Sequence, residues 1–290
     1  MKAIKAGVHQ HRQQVLAIGS KFIIIGLLLC WVKQTAAQSF FENKPFTSGE
    51  VVKYNAYYKW GILMPKAGEA TLSFHKRSTK TDTTYMYRLL FYSTGMVESL
   101  YSMRDTLESH FDQDMILRRS EKRTNDDNYY SIDKLTFSYR NDSTFAHSLR
   151  YDKNRVKIDT TLKDDGAVFD LVGSILFLRS LNWDNYQIGQ RIPFKTMIGR
   201  DVTKVFFIYR GQEIIERGSV KYRTRRFSMD IYDDAFTDSK GAADLWVGDD
   251  ENKIPIRIRA KLKIGAAEVF YKESSGLRYP LNCRVDTKKK

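Results

Sequence analysis

Cysteine is scarce in this chain: 290 residues contain two, Cys30 and Cys283. No disulfide framework can therefore be the source of its stability. Histidine is nearly as scarce. His75, His110 and His147 lie far apart in the sequence, and each is read as a solvated strand-face residue rather than a metal ligand. The common catalytic spacings are missing too. There is no G-x-S-x-G, no H-E-x-x-H and no C-x-x-C, which removes the sequence-visible signs of a hydrolase, a zinc protease or a dithiol redox centre. Ser131 and Lys134 stand at S-x-x-K spacing in "SIDK", a pattern too short to mark a nucleophile pair by itself. No Pro- or Ser-rich linker, internal repeat or low-complexity tract divides the chain. The apolar run "FIIIGLLLCWV", Phe22 to Val32, has eleven residues, whereas a transmembrane helix needs about 20.

That run belongs to a segment ordered like a secretory signal. Lys2, Lys5, Arg12 and Lys21 precede it with no acid among them, and "KQTAAQ" follows, with Thr35 and Ala37 as small residues before a cleavage point. Residues 1–37 are expected to be a signal peptide and 38–290 a single domain, exported to the periplasm or associated with the outer membrane. An uncleaved N-terminal anchor is the alternative. Lipidation at Cys30 is disfavoured, because Leu29 is bulky where a lipobox has a small residue. Cleavage would leave 290 − 37 = 253 residues and remove five cations (the four above and Lys33), so a formal charge of +14 becomes +9. It would also leave one thiol, Cys283, read as buried. About 250 residues suffice for one sizeable core.

What the chain does have is aromatic residues and period-two alternation. Seventeen Tyr and seventeen Phe favour strands. In "IPIRIRAKLKIG", Arg257, Arg259, Lys261 and Lys263 alternate with Ile256, Ile258, Ala260, Leu262 and Ile264. A strand places these on opposite faces; a helix would scatter the cations around its axis. "VVKYNAYYKW" puts Val52, Tyr54, Ala56, Tyr58 and Trp60 on one face, "EATLSFHK" does so with Ala70, Leu72 and Phe74, and "DKLTFSYR" with Leu135, Phe137 and Tyr139. "VTKVFFIYRG" is apolar on both faces in its middle and is expected to be covered on both sides. Polar runs such as "TNDDN" and "GDDEN" read as turns rather than calcium loops, because they lack the alternation of ligands that calcium needs. The exception is "VFDLVGSILFLRSL", Val168 to Leu181, where Val172, Ile175, Leu176 and Arg179 share a helical face. It predicts a helix packed on a sheet or plugging a barrel end, capped by Asp164 or Asp165. The fold class is all-β: a large curved antiparallel meander sheet or partly open β-barrel with one buried α-helix, about 168–181.

Four stretches carry a family resemblance: "FTSGEVVKYNAYYKWGILMPKAGEATLSF" (46–74), "MRDTLESHFD" (103–112), "VFDLVGSILFLRSLNWDNYQIGQRIPF" (168–194) and "LWVGDDENKIPIRIRAKLKIGAAEVF" (245–270). Together they resemble an exported bacterial family common in Bacteroidetes, the domain of unknown function 3108 (DUF3108). Its members usually have a cysteine just before the "VFD" run, where this chain has Ala167. The resemblance implies export and a curved antiparallel sheet similar to the YmcC-like barrels. It implies no catalysis, since the family has none assigned.

The basic rows are the strongest functional signal. Lys221, Arg223 and Arg225 in "VKYRTRRF" repeat the pattern of Arg257, Arg259, Lys261 and Lys263. Alternate residues on a strand lie about 6.6 Å apart, so four cations span roughly 20 Å. Two such rows side by side would make a patch for an anionic lipid, lipopolysaccharide or acidic glycan, with peripheral membrane contact. Nucleic acid is not an expected partner outside the cytoplasm, and no cofactor or metal is expected. The plainer reading is a solvated face neutralised by acids such as Asp230 and Asp233. Arg104 and Asp105 are adjacent and must face opposite ways on a strand, each pairing with a neighbouring strand. An outer-membrane barrel explains one alternating strand but not the charges on both faces of "TLESHFDQD". The function expected is that of a non-enzymatic envelope protein binding a lipid, glycan or envelope partner, with Tyr54, Tyr58 and Trp60 as candidate ligand contacts. A structural or assembly factor docking through the basic rows is the alternative, and a hydrolase whose site is assembled only in three dimensions stays open.

Overall fold

A computed structural model describes residues 41–198, 201–233, 236–262 and 264–285. The expected signal segment, 1–37, and Lys263 lie outside the described residues. The chain runs through β1 (Glu50–Lys59), β2 (Lys66–Ser78), β3 (Thr83–Ser93), helix α1 (Gly95–Leu100), β4 (Arg104–Phe111), β5 (Leu117–Asp126), β6 (Tyr129–Arg140), β7 (Ser143–Asp152) and β8 (Val156–Asp165). It continues through β9 (Val168–Phe169), helix α2 (Gly173–Ser180), β10 (Arg191–Ile198), β11 (Asp201–Arg217), β12 (Val220–Asp233), β13 (Phe236–Gly248), β14 (Pro255–Lys261), β15 (Ala266–Ser275) and β16 (Arg284–Val285). All the strands belong to one sheet, ordered β8-β7-β6-β5-β4-β3-β2-β1-β15-β14-β13-β12-β11-β10-β9, with β16 on β12. Every pairing is antiparallel except β9 on β10. Two meanders, β1 to β8 and β10 to β15, are therefore sewn together where β1 meets β15.

The two edges of this sheet are neighbours in the chain. Only residues 166 and 167 separate β8 from β9, so the sheet curls into a near-closed barrel. Side chains finish what the ladder does not. Lys195 on β10 reaches Asp164 on β8 and donates to the Asp165 carbonyl at 3.0 Å. Drawing the two edges together in this way shields them from pairing with another chain. A barrel of about eight strands is filled by its own side chains, while a larger one encloses a lumen. Here the lumen is occupied in part by α2 and by Phe41 and Phe46 of the N-terminal segment, which join the same core cluster as the inward faces of β1, β2, β6 and β11.

The inward rows follow the alternation in the sequence. Val52, Tyr54 and Ala56 on β1, Ala70, Leu72 and Phe74 on β2, and Leu135 and Phe137 on β6 are all buried. The apolar middle of β11 buries Val205, Phe207, Ile208 and Tyr209. Its outward Phe206 is covered by Arg191, whose guanidinium sits 4.2 Å from the ring centre. The turn readings hold as well: Asp127 in "TNDDN" and Lys253 after "GDDEN" take positive φ, 43° and 51°.

The buried helix is shorter than its apolar run. Val168 and Phe169 form β9, and α2 begins only at Gly173. Its entrance is held by Asp170, whose Oδ1 accepts the Gly173 amide at 3.0 Å, and not by Asp164 or Asp165. Asp164 binds Lys195, and Asp165 accepts the Ser143 hydroxyl at 3.1 Å. A Cβ at position 173 would lie 2.4 Å from the Asp170 carboxylate, which is why a glycine opens the helix. Burial raises the Asp170 pKa, opposed by hydroxyl donation from Ser109 and Ser120.

Arg179 ties α2 to the barrel wall. Only 1% exposed, it donates to both Glu50 carboxylate oxygens at 2.6 and 2.9 Å and to the Asn252 carbonyl at 3.2 and 3.0 Å. Burial works against its charge, but Glu50 more than offsets this and holds the guanidinium above its ordinary range. Next to it, burial pushes the Tyr87 hydroxyl up to about 12.

Candidate functional site: an apolar lumen and its rim

The part of the lumen that α2 leaves open is a cavity of about 610 Å³. Its wall comes from the inward rows of the strands nearest β1. Tyr54, Ala56 and Tyr58 of β1 face Ala70 and Leu72 of β2, Leu89 and Phe91 of β3, Ile258 of β14 and Val269 of β15; Leu171 and Ile175 close the inner side. Val97 of α1 and Leu262 of the β14–β15 turn stand at the rim. The lining is almost wholly apolar, as small-molecule sites mostly are, and the volume lies inside the usual range of roughly 300–1,000 Å³.

Two charged groups interrupt it. Asp105 on β4 has a buried Oδ1 with no hydrogen-bond partner among the described residues. Burial raises its pKa, opposed by the nearby Lys122 and reinforced by Asp126. Lys122 on β5 lines this cavity and also an adjoining, more polar one of about 190 Å³, which reaches Ser148, Arg150 and Asp170. Leu107 and Leu171 are shared between them as well, so the two spaces adjoin. The Tyr54 hydroxyl, buried beside the cavity, has no partner either, and burial lifts its pKa well above the ordinary value.

Tyr54 and Tyr58 thus line the cavity, and Trp60 does not. It follows β1 in the turn to β2 and is 61% exposed. Arg104 and Asp105 do face opposite ways. Arg104, however, pairs with Glu98 of α1 at 2.6 Å instead of with a neighbouring strand, and Asp105 turns into the lumen. Ser131 is buried while Lys134 reaches the Tyr151 ring; three residues apart on one strand, they occupy opposite faces. His75, His110 and His147 each meet a strand neighbour: the Ser73 hydroxyl, Glu108 and Asp159. Cys283 is buried, and burial together with Asp250 raises its thiol pKa far above the ordinary range.

The basic rows do not join into one patch. Cross-strand partners share a face. Arg226 opposes Trp246, and Trp246 opposes Arg257, so Arg257 and Arg259 belong to the outer face with Arg226. Arg225 opposes the fully buried Val247 and belongs to the inner face, together with Arg223 and Lys221. Each row also meets its own acids, and Asp230 is not among them; the Asp233 side chain lies outside the described ones. Arg257 grips Glu268 at 2.9 and 3.1 Å, and Arg259 lies 3.5 Å from the same carboxylate. Arg257 also stacks over Trp246, 4.3 Å from its ring centre. Lys261 donates to the Lys240 carbonyl. On the other row, Arg225 binds Asp249 at 2.7 Å, Arg223 donates to the Asn282 carbonyl, and Lys221 lies 3.7 Å from Glu216. Asp230 instead accepts the Gly241 amide and lies 3.8 Å from Arg191.

Fold and cavity define a class of protein: a near-closed antiparallel barrel, with a plug helix and an apolar lumen that opens at one rim. The chain belongs to the family described as "Protein of unknown function (DUF3108)", which matches residues 53–272. Among solved structures it is similar to a β-barrel-like protein of the domain of unknown function DUF1849 from Brucella abortus. That likeness has a TM-score of 0.55 at 10% identity and covers 81% of this chain and 98% of that one; it shows the fold alone. A looser similarity, TM-score 0.30 at 8% identity, covers 81% of this chain and 99% of a protein with YmcC-like fold from Bacteroides fragilis. No curated protein matches the chain.

Proposed function

We propose that this is an exported, non-enzymatic carrier of an anionic amphiphile, whose acyl chain occupies the 610 Å³ apolar lumen and whose head lies at Lys122. One observation carries the reading. An apolar space of ligand size runs into a polar annex at a solvent-exposed lysine that has no ion pair within 4.0 Å among the described residues. Apolar burial gives about 25 cal/mol per Å² of tail removed from water. A carboxylate or phosphate at Lys122 adds orientation more than affinity. A glycan suits the lumen less well, since its hydroxyls would meet a lining with few polar partners. Export by the segment 1–37 belongs to the same proposal.

The test is uptake of cis-parinaric acid, a fluorescent fatty acid, in solution. The chain should bind it stoichiometrically with enhanced fluorescence. Leu72→Trp, which fills the lumen from its wall, should abolish binding, and Lys122→Glu should weaken it about tenfold, as expected for losing one charge pair of ~1.4 kcal/mol. Uptake that Leu72→Trp leaves unchanged would remove the lumen as the site.

A further inference from the structure

The barrel rim beside the cavity is apolar where a soluble rim would be polar. The β1–β2 turn is a tight hairpin, with Trp60 and Leu63 exchanging both backbone hydrogen bonds at 3.0 Å and Gly61 at φ 58°. It holds Ile62 at its tip, 100% exposed, with Trp60 and Leu63 at 61% and 58%. The β14–β15 turn, two strands away in the sheet order, presents Leu262 and Ile264, 47% and 66% exposed. The two turns are fastened together: the Tyr58 hydroxyl donates to the Ile264 carbonyl at 3.0 Å, and a Cβ on Gly265 would lie 2.3 Å from the Lys59 carbonyl. Folding does not require these side chains to be apolar, because none of them enters the core. Lone exposed hydrophobics are ordinary, but a contiguous cluster on rigid tips marks a contact surface.

We propose that this sector of the rim docks into the interface of an anionic lipid bilayer, with Trp60, Ile62 and Leu63 from one turn and Leu262 and Ile264 from the other entering the headgroup boundary. Three features fit a bilayer better than a protein partner. The apolar groups stand on separate projecting tips, which penetrate a fluid interface without a matching groove. Lys59 and Lys261 lie at the strand ends just behind them, where lysine stems can lie along apolar surface and place their charges among anionic headgroups. Trp is a residue that settles at that depth. The acids of these strands near the rim are already taken, Glu69 by Lys66 and Lys272 and Glu268 by Arg257 and Arg259. Next along the rim, α1 exposes Met96 and Leu100, 70% and 77%, and beyond it Asp126 and Asp127 end the apolar stretch. Leu262 belongs both to the docking tips and to the cavity wall, so a docked rim opens the lumen onto the bilayer. The purpose of docking therefore rests on the carrier reading, but the contact itself does not.

The experiment uses the full chain and vesicles of phosphatidylcholine with phosphatidylglycerol, some of it brominated on the acyl chains. Trp60 emission is taken as the difference between the chain and Trp60→Phe, which separates it from the other tryptophans and from any anchoring by the N-terminal run. Docking predicts that this difference signal shifts to the blue and loses at least half its intensity to bromine. It also predicts that Ile62→Asp with Ile264→Asp restores the signal, lowering docking more than tenfold. Leu72→Trp should leave the quenching intact even where it blocks cis-parinaric acid, so the two readings fail separately. A Trp60 signal that bromine leaves untouched would overturn docking. So would a concentration-dependent dimer, dispersed by Ile62→Asp, that hides Trp60 from the vesicles.

Discussion

Glu50→Gln is the sharpest probe of how the lumen is held open. Arg179 and Glu50 are 129 residues apart, and Arg179 and Asn252 are 73 apart, so one guanidinium joins α2 to β1 and to the β13–β14 turn. Both ionic side chains are 1% exposed. Within the lumen their attraction offsets two desolvation costs, and removing one partner leaves the other charge buried and uncompensated, which costs about 3–5 kcal/mol. The glutamine keeps the volume and can still accept one hydrogen bond, so the loss should lie near 3 kcal/mol, while Arg179→Ala, which also leaves a cavity, should lie near or above 5 kcal/mol. In a domain of this size each kcal/mol moves Tm by about 2–4 °C, so Glu50→Gln should lower it by roughly 6–12 °C. The double variant Glu50→Leu with Arg179→Met removes both charges. It should recover all but about 1–3 kcal/mol, the cost of leaving the buried Asn252 carbonyl without its donor. Urea unfolding of the wild type, this double and its own two singles, Glu50→Leu and Arg179→Met, closes the cycle. A coupling energy below about 1 kcal/mol would refute the reasoning, because it would mean that the pair does not share one desolvated site.

Two further outcomes follow from the titrating groups. The folded-state pKa of Asp170 is raised above 3.8 by burial, so the folded protein binds this proton more tightly than the unfolded chain does. Asp170 thus erodes stability as pH rises from about 3.9 through its folded value. Asp170→Asn removes that slope, and the stability difference, wild type minus variant, should fall across this window in unfolding experiments run at successive pH values; a difference that rises or stays flat would contradict it. Cys283 is buried with a strongly raised thiol pKa. In a Cys30→Ser background, Ellman's reagent should react with it only as fast as the chain unfolds, and rapid reaction in native buffer would show the thiol to be accessible.

Some of this architecture is legible in the residues. Alternation predicts β1, β2, β6 and β14 because each has one face in the lumen and the other outside, so period two survives in the composition. It does not divide Val168 to Leu181, which is apolar throughout; β9 and α2 are both buried there, and an unbroken apolar run does not distinguish a strand from a helix. The sign of a cationic row is visible on one strand. Whether Lys221, Arg223 and Arg225 share a face with Arg257 and Arg259 depends on the register through β13, bulges included, and that is a property of pairing. Glu268 is invisible as the partner of Arg257 for the same reason. The lumen is assembled from nine elements and has no local signal. The rim does have one: "WGIL", Trp60 to Leu63, places apolar residues in a turn, where polar ones are the rule.

The lumen is a consequence of sheet width. A narrow barrel leaves no room inside, and its inward residues need only fit one another. This sheet is wider, so its inward rows stand too far apart to meet across the axis, and something must fill the gap or line it. At the β11–β12 side the filling is α2, with Trp183 against Phe227 at 5.2 Å between ring centres. At the β1–β3 side the inward rows are small, Ala56 on β1 and Ala70 on β2, and larger residues there would close the cavity without disturbing the ladder. Small residues on a barrel wall are a cost to stability, because each gives up apolar contact that a leucine would make. Ala56 and Ala70 stand on the two strands whose turn exposes Ile62. Cavity and apolar rim therefore occupy one sector of the barrel, the arrangement expected when what fills the lumen enters from the surface on which the rim rests.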